Sequence, residues 1–305
     1  MYELRDYQQA ASNAIITWTR KISAPICAEL ATGAGKSLII ADVARRIHEI
    51  SGKKLLCMAP SKELIEQNYQ KYIAAGNPAS LFSASVGIKS TRHPAVFGTP
   101  KTVLNGIDRF KSDFAGIVID ECHRVDPTTK AIIAGMREGN PNLRVIGLTA
   151  TPYRMGDGYI YQIGMDGQQV EQANNPLFSR LVYRIQTQEL VNRGFLTPPE
   201  MMASDRHYDA SSLQLNKQNQ FDAGEVAQVF EGKGRLTADI VADVIDKADH
   251  RFGVMFFAAS IQHAQEIMES LPPEHSRLVT GATAKADRTR ILADFKSGRI
   301  HYIVN

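Results

Sequence analysis

The stretch Leu30-Ala31-Thr32-Gly33-Ala34-Gly35-Lys36-Ser37 constrains this chain more than any other. A short apolar run, Ala24 to Ala28, precedes it, and a second, Leu38 to Val43, follows. That order predicts a strand, a glycine-rich loop and a helix. Backbone N–H groups of such a loop converge on phosphate oxygens because no Cβ blocks the approach. The helix behind it points the positive end of its dipole at the same charge. Lys36 adds a point charge for the outer phosphates, and Ser37 a hydroxyl for Mg²⁺. The longer template G-x-x-x-x-G-K-[ST] fails at its first position, where Leu30 stands, while Thr-Gly-Ala-Gly-Lys-Ser is intact. The competing reading, an ordinary glycine-rich turn, is disfavoured by the strand and helix flanks. The stretch reads as a nucleotide site.

Around it the pattern is that of an α/β protein. An amphipathic helix is expected within residues 1–20, then a helix over 38–50, a strand over 53–60 and a helix from Lys62 to Ala74 capped by Ser61. Further apolar strands are expected at 95–99, 116–120 and 144–149, separated by helical pattern. Such alternation implies βαβ units and a mostly parallel sheet with helices on both faces. Ligands gather at the carboxyl ends of strands in sheets of this kind. Four strand ends here carry polar residues: Thr32 onward, Ser61, Asp120-Glu121 and Thr149-Ala150-Thr151.

Two adjacent carboxylates at a strand end repel unless a cation lies near them. A Mg²⁺ held by Asp120 and Ser37 with nucleotide phosphates would relieve that conflict, leaving Glu121 as general base for a water. The alternative is a helix N-cap pair, Asp120 capping and Glu121 facing the dipole. Gln8 offers an amide donor and acceptor that suit an adenine edge, although alone it reads as a solvated helix residue.

With 305 residues the chain has room for about two domains. Its 44% hydrophobic and 22% charged residues describe a globular protein, and the net charge of +3 permits a nucleic-acid partner without demanding one. No apolar run approaches the roughly twenty residues of a membrane span, and the N-terminus lacks the apolar core of a signal peptide. Cys27, Cys57 and Cys122 are too far apart for metal-ligand spacing, and the expected compartment is the cytoplasm.

Taken together, Tyr7-Gln8, Ala31 to Ser37, Asp120-Glu121-Cys122-His123 and Thr149-Ala150-Thr151-Pro152 resemble the Q motif and motifs I, II and III of superfamily 2 helicases of the DEAD/DEAH type. The order and spacing of the set are more specific than any member of it. The resemblance implies a RecA-like P-loop NTPase lobe followed by a second, truncated RecA-like lobe, with ATP and Mg²⁺ as cofactors. It implies that Arg5, Gln8, Thr32, Gly33, Ala34, Gly35, Lys36, Ser37 and Leu38 meet the nucleotide. Lys36, Asp120, Glu121 and His123 would serve hydrolysis, and Thr149 and Thr151 would couple it to nucleic acid. Ala59 to Leu64 resembles motif Ia and Gly98 to Thr102 motif Ib, which implies nucleic-acid contacts at Pro60, Ser61, Lys62, Thr99 and Lys101. On the second lobe Ser260, Thr280 and Gly281 fall at the family's nucleic-acid path.

The likeness extends to RadD-type bacterial DNA-repair ATPases through Leu148 to Gly156, Gly158 to Gln162, Gly194 to Pro199 and Val254 to Ser260. Phage or mobile-element relatives would carry the same segments. The implied activity is an ATP-driven helicase or translocase in DNA repair, working as a monomer on single-stranded or branched DNA away from membranes. Single-stranded-DNA-binding or recombination proteins are candidate partners. The alternatives are the motor of a restriction or phage-defence complex and a nucleotide-dependent DNA-binding module without productive turnover.

The expected domains are a first lobe over 1–155, an extension and connector over 156–234, and an incomplete second lobe over 235–305. In the connector a helix is expected at 186–193 with Gly194 behind it, and Arg154, Arg180 and Arg184 read as solvated rather than DNA-facing. In the second lobe, strands are expected at 253–258, 277–280 and 301–304, the first of them buried, with helices over 238–248, 261–270 and 287–296. No Q-x-x-G-R-x-x-R pattern follows, so motifs V and VI are missing and weak hydrolysis by this polypeptide alone is expected.

Overall fold

The computed structural model describes residues 3–154, 157–202, 204, 206–216 and 221–305. Met155 and Gly156, within the segment resembling RadD-type ATPases, and residues 217–220 of a polar stretch lie outside the described residues. The chain forms two compact units, Met1–Pro198 and Pro199–Asn305. The segment 156–234 therefore divides between them at Pro198.

The first unit begins with α1 (Asp6–Lys21), β1 (Ile26–Leu30), α2 (Lys36–Ser51), β2 (Lys54–Met58) and α3 (Lys62–Ala74). Next come β3 (Ala79–Ser83), β4 (Ile88–Lys89), β5 (Ala95–Gly98), α4 (Pro100–Asn105), β6 (Phe114–Asp120), α5 (Pro127–Gly139) and β7 (Arg144–Thr149). It ends with β8 (Tyr153–Arg154), β9 (Gly158–Tyr159), β10 (Tyr161–Ile163), β11 (Phe178–Ile185) and α6 (Thr187–Asn192). Nine strands pair in the order β10-β11-β1-β7-β6-β2-β5-β3-β4, and only β3–β4 among these pairs is antiparallel.

Strand periodicity divides the core in two. Leu55, Cys57, Val118 and Ile146 face one cluster, which α1, α2 and α3 cover with Ile15, Ile40 and Ile65. Leu56, Met58, Ile117 and Val145 face the other, under Val103 of α4 and Ile132 of α5. This parallel sheet with both faces covered is the expected RecA-like α/β lobe, and the phosphate loop joins β1 to α2. Ser61 caps α3 as expected, its Oγ accepting from Leu64 N at 3.2 Å. The helix expected at 186–193 is α6, and Gly194 follows its cap with φ +72°.

Strands β3 and β11 extend the sheet beyond the sequence expectation. β11 lies beside β1, one strand in from the β10 edge of the sheet, in a stretch whose arginines disguise it. Those arginines are not simply solvated. Arg184 Nε donates to Glu29 Oε2 at 2.6 Å, and the Arg180 guanidinium stands 4.5 Å from the centre of the Trp18 ring. Arg154 donates to the carbonyls of His123 and Val125.

The second unit contains α7 (Ala223–Phe230), α8 (Gly234–Lys247), β12 (Val254–Phe256), α9 (Ile261–Glu269), β13 (Ser276–Leu278), α10 (Lys285–Lys296) and β14 (Tyr302–Val304). Its three strands pair in parallel in the order β12-β14-β13. The expectation of a buried strand at 253–258 needs correction: Met255 is 47% and Phe257 74% exposed, because β12 stands at the edge of this sheet with one face uncovered. A buried polar chain holds α9 in place. Ala259 N donates to His263 Nδ1 at 3.2 Å, so Nε2 carries the hydrogen toward Tyr208 OH at 3.0 Å, and that hydroxyl donates to Thr237 Oγ1 at 2.9 Å.

Burial holds the His263 pKa below its ordinary value, against the nearby Glu266 and Glu231, which raise it. The unfolded chain thus takes up the proton first as pH falls, so stability is complete above about pH 6.5 and declines below it. Thermal unfolding followed from pH 8 to pH 5 is expected to show the second unit losing stability through this window. His263→Gln should lower stability at neutral pH and flatten that slope.

Candidate nucleotide site

The phosphate loop leaves β1 with its backbone held by a neighbour: Ala31 N donates to Ile185 O of β11 at 3.1 Å. Gly33 and Gly35 take φ +84° and +80°, a left-handed region that side chains rarely tolerate, and the second of them starts α2. Gln8 is 3% exposed and occupied at both ends of its amide. Nε2 donates to Ala34 O at 2.9 Å, and Oε1 accepts from Arg5 N at 3.0 Å. The amide expected to face an adenine edge is turned onto the phosphate loop, and Gln8 is not the solvated helix residue it resembles when read alone.

At the mouth of the loop Lys36 Nζ lies 3.4 Å from Glu121 Oε1, with side chains 14% and 26% exposed. Glu121 takes φ 50° between β6 and the 3-10 turn Cys122–Arg124, so it does not extend the strand. The N-cap alternative for Asp120-Glu121 finds a separate answer, because Asp126 accepts from Thr129 N at 2.8 Å and caps α5.

Asp120 is buried, and Asn68 reaches it from α3. Asn68 Nδ2 donates to Asp120 Oδ2 at 2.9 Å, while Asn68 Oδ1 accepts from Ser37 Oγ at 2.6 Å. One amide thus joins the two residues expected to hold Mg²⁺. Lys71 Nζ lies 3.4 Å from the same Ser37 hydroxyl. Burial raises the Asp120 pKa, against the Asn68 bond, which lowers it. A divalent cation beside this carboxylate would offset its lost hydration, which is the chemistry the donor set fits. Asn68 carries no sequence signal of its own, since a helical Asn two turns past a cap has no local pattern.

His123 Nδ1 lies 2.8 Å from Thr149 Oγ1 and 3.4 Å from Glu121 Oε2. Thr149 Oγ1 also accepts from Thr151 N at 3.0 Å. Burial lowers the His123 pKa, with Glu121 acting in the opposite direction. Lys36, Glu121, His123 and Thr149 therefore form one continuous line of contacts from the loop to the end of β7.

Beside Asp120 and Glu121 opens a cavity of about 720 Å³ lined by Pro60, Lys62, Thr99, Lys101, Arg124 and Thr128 among others. Lys62 Nζ donates to Ser85 O at 2.9 Å, and Thr99 Oγ1 donates to Thr102 Oγ1 at 2.9 Å. On the second unit Ser260 Oγ accepts from His263 N at 3.1 Å and donates to Glu231 Oε1 at 2.5 Å. Both roles of that hydroxyl are filled. Thr280 and Gly281 lie in the turn before α10, where Thr280 Oγ1 accepts from Ala282 N at 3.2 Å.

Residues 1–154 match the family described as the Type III restriction enzyme, res subunit, which is half of the chain. The chain belongs to that family. Its superfamily 2 helicase motifs lie within the matched segment. A 51.5 kDa protein of a Lactococcus phage is 23% identical over 280 residues, covering 90% of this chain and 53% of the phage protein. The Type I restriction enzyme EcoAI endonuclease subunit of Escherichia coli is also 23% identical, over 288 residues covering 88% of this chain and 34% of the subunit. This chain thus spans about half the phage protein and a third of the restriction subunit. The DNA-bound structure of the ATP-dependent Type ISP restriction-modification enzyme LlaBIII shares the fold, with TM-score 0.62 and 13% identity over 99% of this chain and 24% of that one. Among the described residues no helix is long and apolar enough to cross a membrane.

Replacing Asn68 by Leu should leave Asp120 and Ser37 without their shared partner. A loss of about 1–3 kcal/mol in stability, read from denaturant unfolding, is the expected outcome.

Proposed function

We propose that this chain is the ATP-dependent motor part of a DNA helicase or translocase. The observation that carries the reading is the meeting of Lys36, Ser37, Asp120 and Glu121 at the carboxyl ends of β1 and β6. Lys36 and the amides of the left-handed glycine loop would bind the phosphates, and Ser37 and Asp120 would hold Mg²⁺. Bound there, the magnesium nucleotide supplies a phosphoanhydride bond whose negative charge the metal partly neutralises. Glu121 would accept the proton of the attacking water, its carboxylate oriented between Lys36 and His123. His123 and Thr149 would report the state of that carboxylate to the groove lined by Lys62, Thr99 and Lys101. Those cations and hydroxyls suit a phosphodiester backbone rather than base edges.

The family match and the restriction relatives support a motor that works in a restriction or phage-defence setting. Repair on single-stranded or branched DNA is the second reading, supported by the RadD-like segments around Gly158 to Gln162 and Gly194 to Pro199. ATP hydrolysis compared on intact duplex and on single strands separates them: a motor tracking duplex responds to the first, a repair helicase to the second.

Lys36→Ala should weaken ATP binding by about tenfold or more, as loss of a charge-assisted contact implies. Glu121→Gln should keep ATP binding and lower hydrolysis by roughly 10²–10⁴-fold. Unchanged hydrolysis in Glu121→Gln, or DNA that alters neither binding nor hydrolysis in the unmodified protein, would defeat the assignment.

A further inference from the structure

At the amino ends of its strands, opposite the nucleotide site, the first unit carries a cavity of about 510 Å³. It lies between the last turns of α1 and α2 and the starts of β6 and β7. Its floor is apolar. Ile16 and Ile47 belong to the core beneath, Ala115 packs against that core, and Ile50 stands 49% exposed among the lining residues. A single exposed isoleucine is ordinary, but here it adjoins two core side chains in a concave surface.

Three cations, Arg20, Lys53 and Arg144, line the same cavity, and no Asp or Glu does. Arg20 and Lys53 are exposed and pair with no carboxylate among the described residues. Glu49 and Asp113, close by in sequence, are engaged elsewhere, with Arg45 at 2.7 Å and Lys54 at 3.6 Å. Arg144 is held in place: Nε donates to Thr19 O at 2.6 Å and Nη1 to Asn142 O at 2.9 Å, while Nη2 has no partner among the described residues. The carbonyl ends of α1 and α2 favour cations nearby, which accounts for part of the charge but not for the apolar floor left open within it. A phosphodiester strand would meet the cations and leave that floor in water. An apolar side chain flanked by carboxylates satisfies both, and a guanidinium already fixed loses little freedom on binding it.

We propose that this cavity docks an acidic segment of a partner protein: an apolar side chain of that segment packs on Ile50, and Asp or Glu residues on either side meet Arg20, Lys53 and Arg144. None of these residues belongs to the nucleotide site, so the assignment goes beyond the motor reading and does not depend on it.

The test is a selection. A random peptide library displayed on phage is screened on the immobilised protein, and the enriched peptides are synthesised and titrated by fluorescence anisotropy. They are expected to carry Asp or Glu on both sides of Leu, Ile or Phe. The double variant Arg20→Glu/Lys53→Glu should weaken their binding about tenfold or more, and Ile50→Ser about fivefold. All three side chains are exposed, so both variants should keep the thermal midpoint of the unmodified protein. The assignment is overturned if no peptide is enriched, or if the enriched ones lack acidic residues. It is equally overturned if either variant binds them as the unmodified protein does. Displacement of the peptide by DNA that itself fails to bind the charge-reversed variant would give this face to nucleic acid instead. Self-association of the unmodified protein that the charge-reversed variant loses would give it to a second copy of this chain, and either result defeats the proposal.

Discussion

Asp120 is 4% exposed, and a carboxylate at that depth persists only where neighbouring groups offset its lost hydration. Here the offset comes from the Asn68 amide and the Glu121 backbone N–H, at 2.9 and 3.0 Å. Because Asn68 also accepts from Ser37, satisfying Asp120 ties the end of β6 to the first turn of α2 through α3. The phosphate loop is thereby registered against the acidic strand end before any ligand arrives. Loss of that register would separate the groups proposed to act on one phosphate chain, whatever the condition of the core below.

Much of the first unit was legible because its signals are local. A glycine-rich loop between a strand and a helix, and short apolar runs ended by polar residues, declare themselves within ten residues of sequence. The ranges expected for β2, α3, β5 and β7 agree with the structure for that reason. β11 did not declare itself, because Arg180 and Arg184 interrupt its apolar pattern and find partners far away in sequence, at Trp18 of α1 and Glu29 of β1. Asn68 stayed hidden for the same kind of reason: its two partners are 31 and 52 residues away, so nothing near it marks it as part of the site. Arg184 is exposed as its solvated reading has it, although it also pairs with Glu29, whereas Arg154 and Arg180 are half-buried against carbonyls and a ring, which a charge in sequence does not reveal.

Gln8, which read alone looks solvated, is likewise buried. Sequence offers it as an amide free to pair with an adenine edge, and its own composition suggests exposure. Folding instead encloses it between Arg5 N and Ala34 O, where it braces the loop. Amide side chains carry both a donor and an acceptor, so a backbone that presents the complementary pair will capture them.

Position in the sheet explains why so many of these contacts converge. β1 lies between β7 and β11, so the loop that follows it has a neighbour on each side. From β7 come Thr149 and the contact with His123; from β11 come Ile185 O, on Ala31 N, and the turn that brings Leu196 over Gly33. Arg154 adds a third hold by donating to the His123 and Val125 carbonyls behind Glu121. A displacement of the loop must therefore disturb a hydrogen bond or a packed side chain on both flanks. The irregular segment after β7 and the turn after α6 thus hold the loop from either side. Irregular backbone next to a phosphate loop is, in this chain, part of the apparatus that holds the loop in its left-handed shape.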